Sequence, residues 1–211
     1  MKNLLLILIT LMSTTLQAKD LKVLNLTSEN TVSITTEFSQ RSVAKVVKEV
    51  YRLDNKLTKG KPIYLVLNSP GGSVVAGLWM YNLLKALDRP IHTVTMFAAS
   101  MGFHTVQNLG KRYILPHGIL MSHLATGGVK GTIPGSSNVK LSFWSKMISD
   151  MDKIVVDRTK GKWTLKKYKE MVKTEYWSNG QNAVDDGFAD EVVLAKCEYK
   201  MVEKNKCPLI P

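Results

Sequence analysis

Ile63-Tyr64-Leu65-Val66-Leu67-Asn68-Ser69-Pro70-Gly71-Gly72-Ser73 joins an unbroken apolar run to a glycine turn. A run of strand length without alternation marks a strand buried on both faces. The turn leads into Val74 to Leu87, which is predicted as a helix stopped by Asp88-Arg89-Pro90. Ile91 to Phe97 repeats the buried-strand pattern, and Ala98-Ala99-Ser100-Met101-Gly102 at its end opens a further helix. Strand, turn and helix thus recur, the mark of an α/β fold with a parallel sheet and right-handed crossovers.

The rest of the chain fits around this unit. Val32 to Phe38 alternates as a strand does, and Ser42 to Leu53 carries apolar residues at helical spacing. Tyr113 to Pro116 and Gly118 to Met121 read as two short strands around a turn. Leu141 to Arg158 reads as a long amphipathic helix, and Thr164 to Val172 as a shorter one. A chain of 211 residues suits one domain, expected over 19–211. The first 18 residues read as a secretory signal: a basic tip, an apolar run from Leu4 to Met12 and a small residue, Ala18, at a cut site. The expected address is therefore periplasmic or extracellular. Cys197 and Cys207 are the two cysteines, and in an oxidising compartment they can close a loop in the tail 195–211. Two cysteines without a second pair argue against zinc.

The formal net charge is +12, from 29 Lys+Arg against 17 Asp+Glu. The lysines are scattered, with a modest cluster from Lys160 to Lys173, and no aromatic-basic motif of a nucleic-acid module is present. A solvated basic face is expected, and no nucleic-acid partner.

In parallel sheets, sites form at the carboxyl ends of strands. Gly71-Gly72 and Ser100 both occupy such ends. Small neighbours suit Ser100 to a tight turn with its hydroxyl exposed. The N–H of Met101 at a helix start, and that of Gly72, are candidate donors to an oxyanion. On spacing alone a serine there is more often a helix cap. His123, ahead of Thr126-Gly127-Gly128, becomes a base only if folding brings it to Ser100.

Four segments together resemble the Clp protease proteolytic subunit (ClpP) family. They are Tyr64 to Gly72, Ala98 to Gly102, Met121 to Gly128 and Ala183 to Asp190, in family order across most of the chain. The resemblance implies the ClpP/crotonase-like fold, built of stacked βαβ units with a protruding handle helix, here Leu141 to Arg158. It implies a serine endopeptidase without cofactor or metal, with Ser100 as nucleophile, His123 as base, and Gly72 and Met101 as oxyanion donors. Extended peptide is expected to bind along Gly71, Ser73, Val74, Ala125, Thr126 and Gly127. Homo-oligomeric rings paired through the handle are implied as well.

The family's triad aspartate matches Glu175 here, with Asp185, Asp186 and Asp190 as fallbacks. An exported enzyme would not meet cytosolic ATP, so an ATP-driven unfoldase partner is not expected, and peptides or unfolded chains are the expected substrates. Three alternatives stand beside this reading: a non-catalytic peptide-binding or assembly paralogue, a crotonase-type thioester enzyme, and a serine–lysine peptidase using Lys111 or Lys130.

Overall fold

The computed structural model describes residues 21–210. The expected signal over 1–18 lies outside the described residues. A six-stranded sheet runs in the order β2 (Thr31–Ile34), β3 (Ile63–Ser69), β4 (Ile91–Ala99), β5 (Arg112–Ser122), β6 (Tyr176–Asn179), with β7 (Glu191–Val192) also paired to β5. The β2–β5 pairings are parallel and β6 is antiparallel to β5. This is the mixed α/β fold expected of the family. The two buried strands read from the sequence, β3 and β4, pair with each other at its centre.

Helices α1 (Gln40–Asp54), α2 (Val74–Lys85) and α3 (Met101–Asn108) connect the parallel strands. Ser39 caps α1 in a reciprocal box with Ser42, and Val43, Val46, Val50 and Leu53 form its buried stripe. These side chains join Leu65, Leu67, Met80, Phe103 and Phe188 in the main core. The other sheet face presents Val66, Val94 and Tyr113. It packs on Leu24, Leu26 and Val193, close to the parallel pair β1 (Val23–Leu26) and β8 (Leu194–Cys197). Cys197 and Cys207 are disulfide-bonded around a short helix (Tyr199–Glu203), so the tail is folded onto the domain through β8.

Three expectations are corrected. The first described strand is β1, ahead of Val32, and β2 ends at Ile34; Phe38 makes only an isolated bridge to Gly72. The two short strands at 113–121 are one strand, β5, whose register on β4 shifts between Thr95 and Phe97. Gly118 absorbs the irregularity, since a Cβ there would lie 2.4 Å from the Thr95 carbonyl oxygen. The long helix, α4 (Ser136–Asp157), begins five residues earlier than its apolar pattern implied. Only Met151, Asp152 and Val155 of α4 are buried, while Val139, Leu141 and Phe143 are exposed. Its first half therefore stands off the domain, as a handle does.

Candidate active site

The register of the sheet decides which residues meet. Ala99, the last residue of β4, pairs with Met121, so Ser100 leaves the sheet beside the end of β5, and His123 follows that end directly. The Ser100 amide donates to the Met121 carbonyl at 2.9 Å, tying the two strand ends together. On the far side, the Leu124 amide donates to the Val172 carbonyl at 3.2 Å, and the buried Ser122 hydroxyl shares a 2.7 Å hydrogen bond with Tyr168. His123 is thus pinned on both flanks.

Ser100 holds φ 54° and ψ −117°, a backbone conformation that favours glycine. Strain of this kind costs on the order of 1–3 kcal/mol and persists where surrounding structure enforces it, commonly at functional sites. Ala98, Ala99 and Met101 are buried around it, so no bulkier neighbour relieves the turn.

The Gly71-Gly72 turn sits directly over this corner. A Cβ on Gly71 would lie 2.7 Å from Ser100 Cβ and 2.9 Å from the Met101 amide nitrogen. The Phe38 amide donates to the Gly71 carbonyl, and the Ser73 amide donates to the Phe38 carbonyl. In such a parallel bridge the polar groups of the intervening residue, Gly72, face away from Phe38. Neither the Gly72 nor the Met101 amide donates to a described residue. Two unpaired N–H groups therefore flank the serine, one of them in the first turn of α3 where orphan donors are expected.

Ser100 and His123 line one cavity of about 30 Å³, together with Met101, His104, Asp152 and apolar residues including Val74, Ala125, Ile148 and Val172. They make no direct hydrogen bond, a looseness common before substrate binds. Val74, Ala125 and Ile148 also line a larger cleft of about 750 Å³. Gly72, Ser73, Thr126 and Gly127 border that cleft, whereas Gly71 does not and packs on the Ser100 corner instead. The cleft and the Ser100 cavity thus adjoin along Val74, Ala125 and Ile148.

The expected acids lie elsewhere. Glu175 is exposed, at φ 67°, and its carboxylate accepts from the Trp177 indole at 2.9 Å. Asp185 accepts from Gln181, Asp186 from the Tyr176 hydroxyl, and Asp190 from Arg112. None of the four lines the cavity. The same is true of the alternative lysines; Lys111 donates to Glu191 at 2.5 Å, and the Lys130 carbonyl accepts from Lys140.

Two cavity residues were missed in the sequence. His104 is one helical turn after Ser100 on α3. Burial, and then the nearby charge of His123, push its imidazole down to about 4, so it is neutral at physiological pH. Asp152 is 7% exposed, and burial pushes its carboxyl up to about 6 against a weaker downward pull from Lys169. Its signal was available: with Ile148, Met151 and Val155 it occupies an i, i+3, i+4, i+7 stripe of α4, and a lone carboxylate in an apolar stripe calls for a reason.

Residues 16–196 match the Clp protease family. Similar proteins include the ATP-dependent Clp protease proteolytic subunit 2 of Cutibacterium acnes, 35% identical over 62% of this chain and 61% of its own length. The corresponding subunit 2 of Bifidobacterium longum is 32% identical over 63% and 64%. The proteolytic subunit of Streptococcus mutans is 33% identical over 63% and 69%. The chain thus spans a little under two thirds of the length of the first two relatives. A match running from before β1 to the last strand, on a fold with a strained serine over a glycine turn, has one reading: the chain belongs to the Clp protease family.

Proposed function

We propose that this protein is a serine endopeptidase that cleaves peptides and unfolded chains by acyl transfer at Ser100. The observation that carries the proposal is Ser100, forced to positive φ at the end of β4, sharing one cavity with His123 beneath two unpaired amides. His123 takes the Ser100 proton as Oγ bonds to the peptide carbonyl carbon. The Gly72 and Met101 N–H groups receive the negative charge that forms on oxygen. Collapse of the tetrahedral adduct breaks the C–N bond, and the amine leaves with the proton from His123. Water then repeats the sequence on the acyl-enzyme and frees the serine. Extended substrate lies in the 750 Å³ cleft between Ser73-Val74 and Ala125 to Gly127, where main-chain pairing gives broad specificity.

Ring assembly through the handle belongs to the same proposal. Val139, Leu141 and Phe143 on α4, and Val75, Trp79 and Leu83 on α2, are exposed apolar residues that association would cover. The Cys197–Cys207 disulfide favours an oxidising, periplasmic or extracellular compartment, and hence action without an ATP-driven unfoldase.

A non-catalytic, peptide-binding reading is favoured by one observation, the missing hydrogen bond between Ser100 and His123. Intact-mass analysis after fluorophosphonate treatment separates the two. Hydrolysis requires one adduct on the folded wild-type protein, none on Ser100→Ala, and much slower labelling of His123→Ala. A folded wild-type protein that takes no adduct refutes the peptidase and leaves the binding module.

A further inference from the structure

We propose that Asp152, on the handle helix α4, is the carboxylate that orients His123, in place of Glu175. This rests on the peptidase reading above and names the part that reading leaves open.

Three observations carry it. Among the described residues, Asp152 is the one carboxylate on the wall of the cavity that holds Ser100 and His123. Its side chain is 7% exposed, and its carboxylate oxygens, which are not among the fully enclosed unpaired atoms, open toward the cavity and are held by no hydrogen bond or ion pair from a described residue. A largely buried carboxylate gains from a donor, and the cavity wall carries two imidazoles, His123 and His104, the latter with an enclosed Nδ1 that has no partner among the described residues. His104 stays neutral across the working range, so it is not the ring that becomes a cation during attack. The imidazolium forming on His123 is the charge that Asp152 can stabilise, as triad acids do.

The other groups near Asp152 are compatible with that role. Lys169 attracts it while its ammonium donates to Ser149 at 2.8 Å. The Tyr168 hydroxyl is bonded to Ser122, on the residue before His123. Burial alone favours the protonated carboxyl, so the ionised form that orients a histidine dominates only above about pH 6. Asp152 acts through His123 and is a positioning residue.

The test compares wild type, Asp152→Asn and Glu175→Gln for fluorophosphonate labelling at Ser100 and for hydrolysis of a peptidyl coumarin amide from pH 5 to 9. Asp152→Asn is expected to lower kcat by roughly 10²–10⁴-fold with KM within about threefold. Its acid limb of activity moves to lower pH, because the cation formed on the base loses its counter-charge. A purely structural aspartate moves neither the kcat/KM split nor the limb in this way. Asp152→Ser supplies the same readout if the amide variant does not fold. Labelled wild type with Asp152→Asn turnover within threefold overturns the assignment and leaves the peptidase standing. So does a loss at Glu175→Gln equal to or greater than that at Asp152→Asn. An unlabelled wild type removes the peptidase, and this inference with it.

Discussion

Replacing Asp190 with asparagine tests whether the carboxylate that ends the family-like segment Ala183 to Asp190 holds the fold rather than the chemistry. Arg112, at the start of β5, is 2% exposed. Its Nη2 and Nε donate to the two Asp190 oxygens at 2.6 and 3.2 Å, and its own amide donates to Asp190 at 2.8 Å. The remaining donors of the fork reach neutral acceptors, Gln107 Oε1 at 2.6 Å and the Gly187 and Arg158 carbonyls at 2.9 and 3.4 Å. Arg158 is a second cation, 3.8 Å from Asp190. Asp190 is therefore the anion that balances a buried guanidinium. Asparagine keeps the shape but removes the charge and turns one acceptor into a donor facing donors. Breaking a buried pair from one side costs about 3–5 kcal/mol. In a domain of this size that lowers Tm by roughly 10 °C. Burial alone would raise the Asp190 carboxyl, but the Arg112 hydrogen bonds and charge outweigh it and hold it below the usual range. A depressed carboxyl stabilises above its unfolded-state pKa and loses that contribution as pH falls through its folded-state value. The deficit of Asp190→Asn is thus full at pH 7 and shrinks in acid. Urea denaturation at pH 7 and pH 3, with peptide hydrolysis well below Tm, gives the readout. A deficit under about 1 kcal/mol at pH 7, or one that grows in acid, refutes the reasoning; a loss of turnover in protein shown to be folded would return Asp190 to the list of catalytic acids.

Asp152→Asn is expected to stabilise the fold at pH 7 while impairing it as an enzyme. The Asp152 carboxyl is raised from 3.8 to about 6, so the native state holds its proton longer and ionisation costs stability above about pH 6, with no cost below about pH 4. Allowing for solvent screening, the gain on substitution is on the order of 1 kcal/mol at pH 7 and vanishes at pH 3, measured by urea denaturation at both. Gly71→Ala is expected to abolish Ser100 labelling and to lower stability by about 1–3 kcal/mol. The glycine sits at φ 97°, and a Cβ would strike the Ala99 carbonyl at 2.6 Å as well as Ser100 Cβ. Retained labelling would show that the turn does not set the serine.

Much of the fold was legible because its signals are local. The buried runs in β3 and β4 are continuous, and the breakers at Gly60 and Pro90 bound α1 and α2. What failed needed neighbours. Residues 112–122 read as two strands because Pro116 and Gly118 punctuate them, yet β4, β6 and β7 all pair with the segment and keep it one strand. The opening of α4, residues 136–140, has no apolar stripe to read: Val139 is its one apolar residue, and none of the five is buried.

The site divides along the same line. Ser100, Met101 and Gly72 are set by turns whose glycines and small residues are written consecutively, so the sequence alone could place them at strand ends. The acid is different, because a carboxylate orients a histidine from any element that reaches it. Matching by position along the chain selects Glu175, three residues past Val172; the shared cavity points to Asp152, which lines it together with Val172, His123 and Leu124. A single turn of α4 carries Ile148 against the substrate cleft and Asp152 against the Ser100 cavity. The same helix exposes apolar residues suited to association at its other end. If rings pair through that half, assembly would fix the helix axis on which the carboxylate is carried. Activity would then depend on protein concentration through Asp152, and dilution should lower kcat in the wild type far more than in Asp152→Asn, whose catalysis no longer uses the carboxylate. Parallel loss in both on dilution would mean that the handle and the acid are independent.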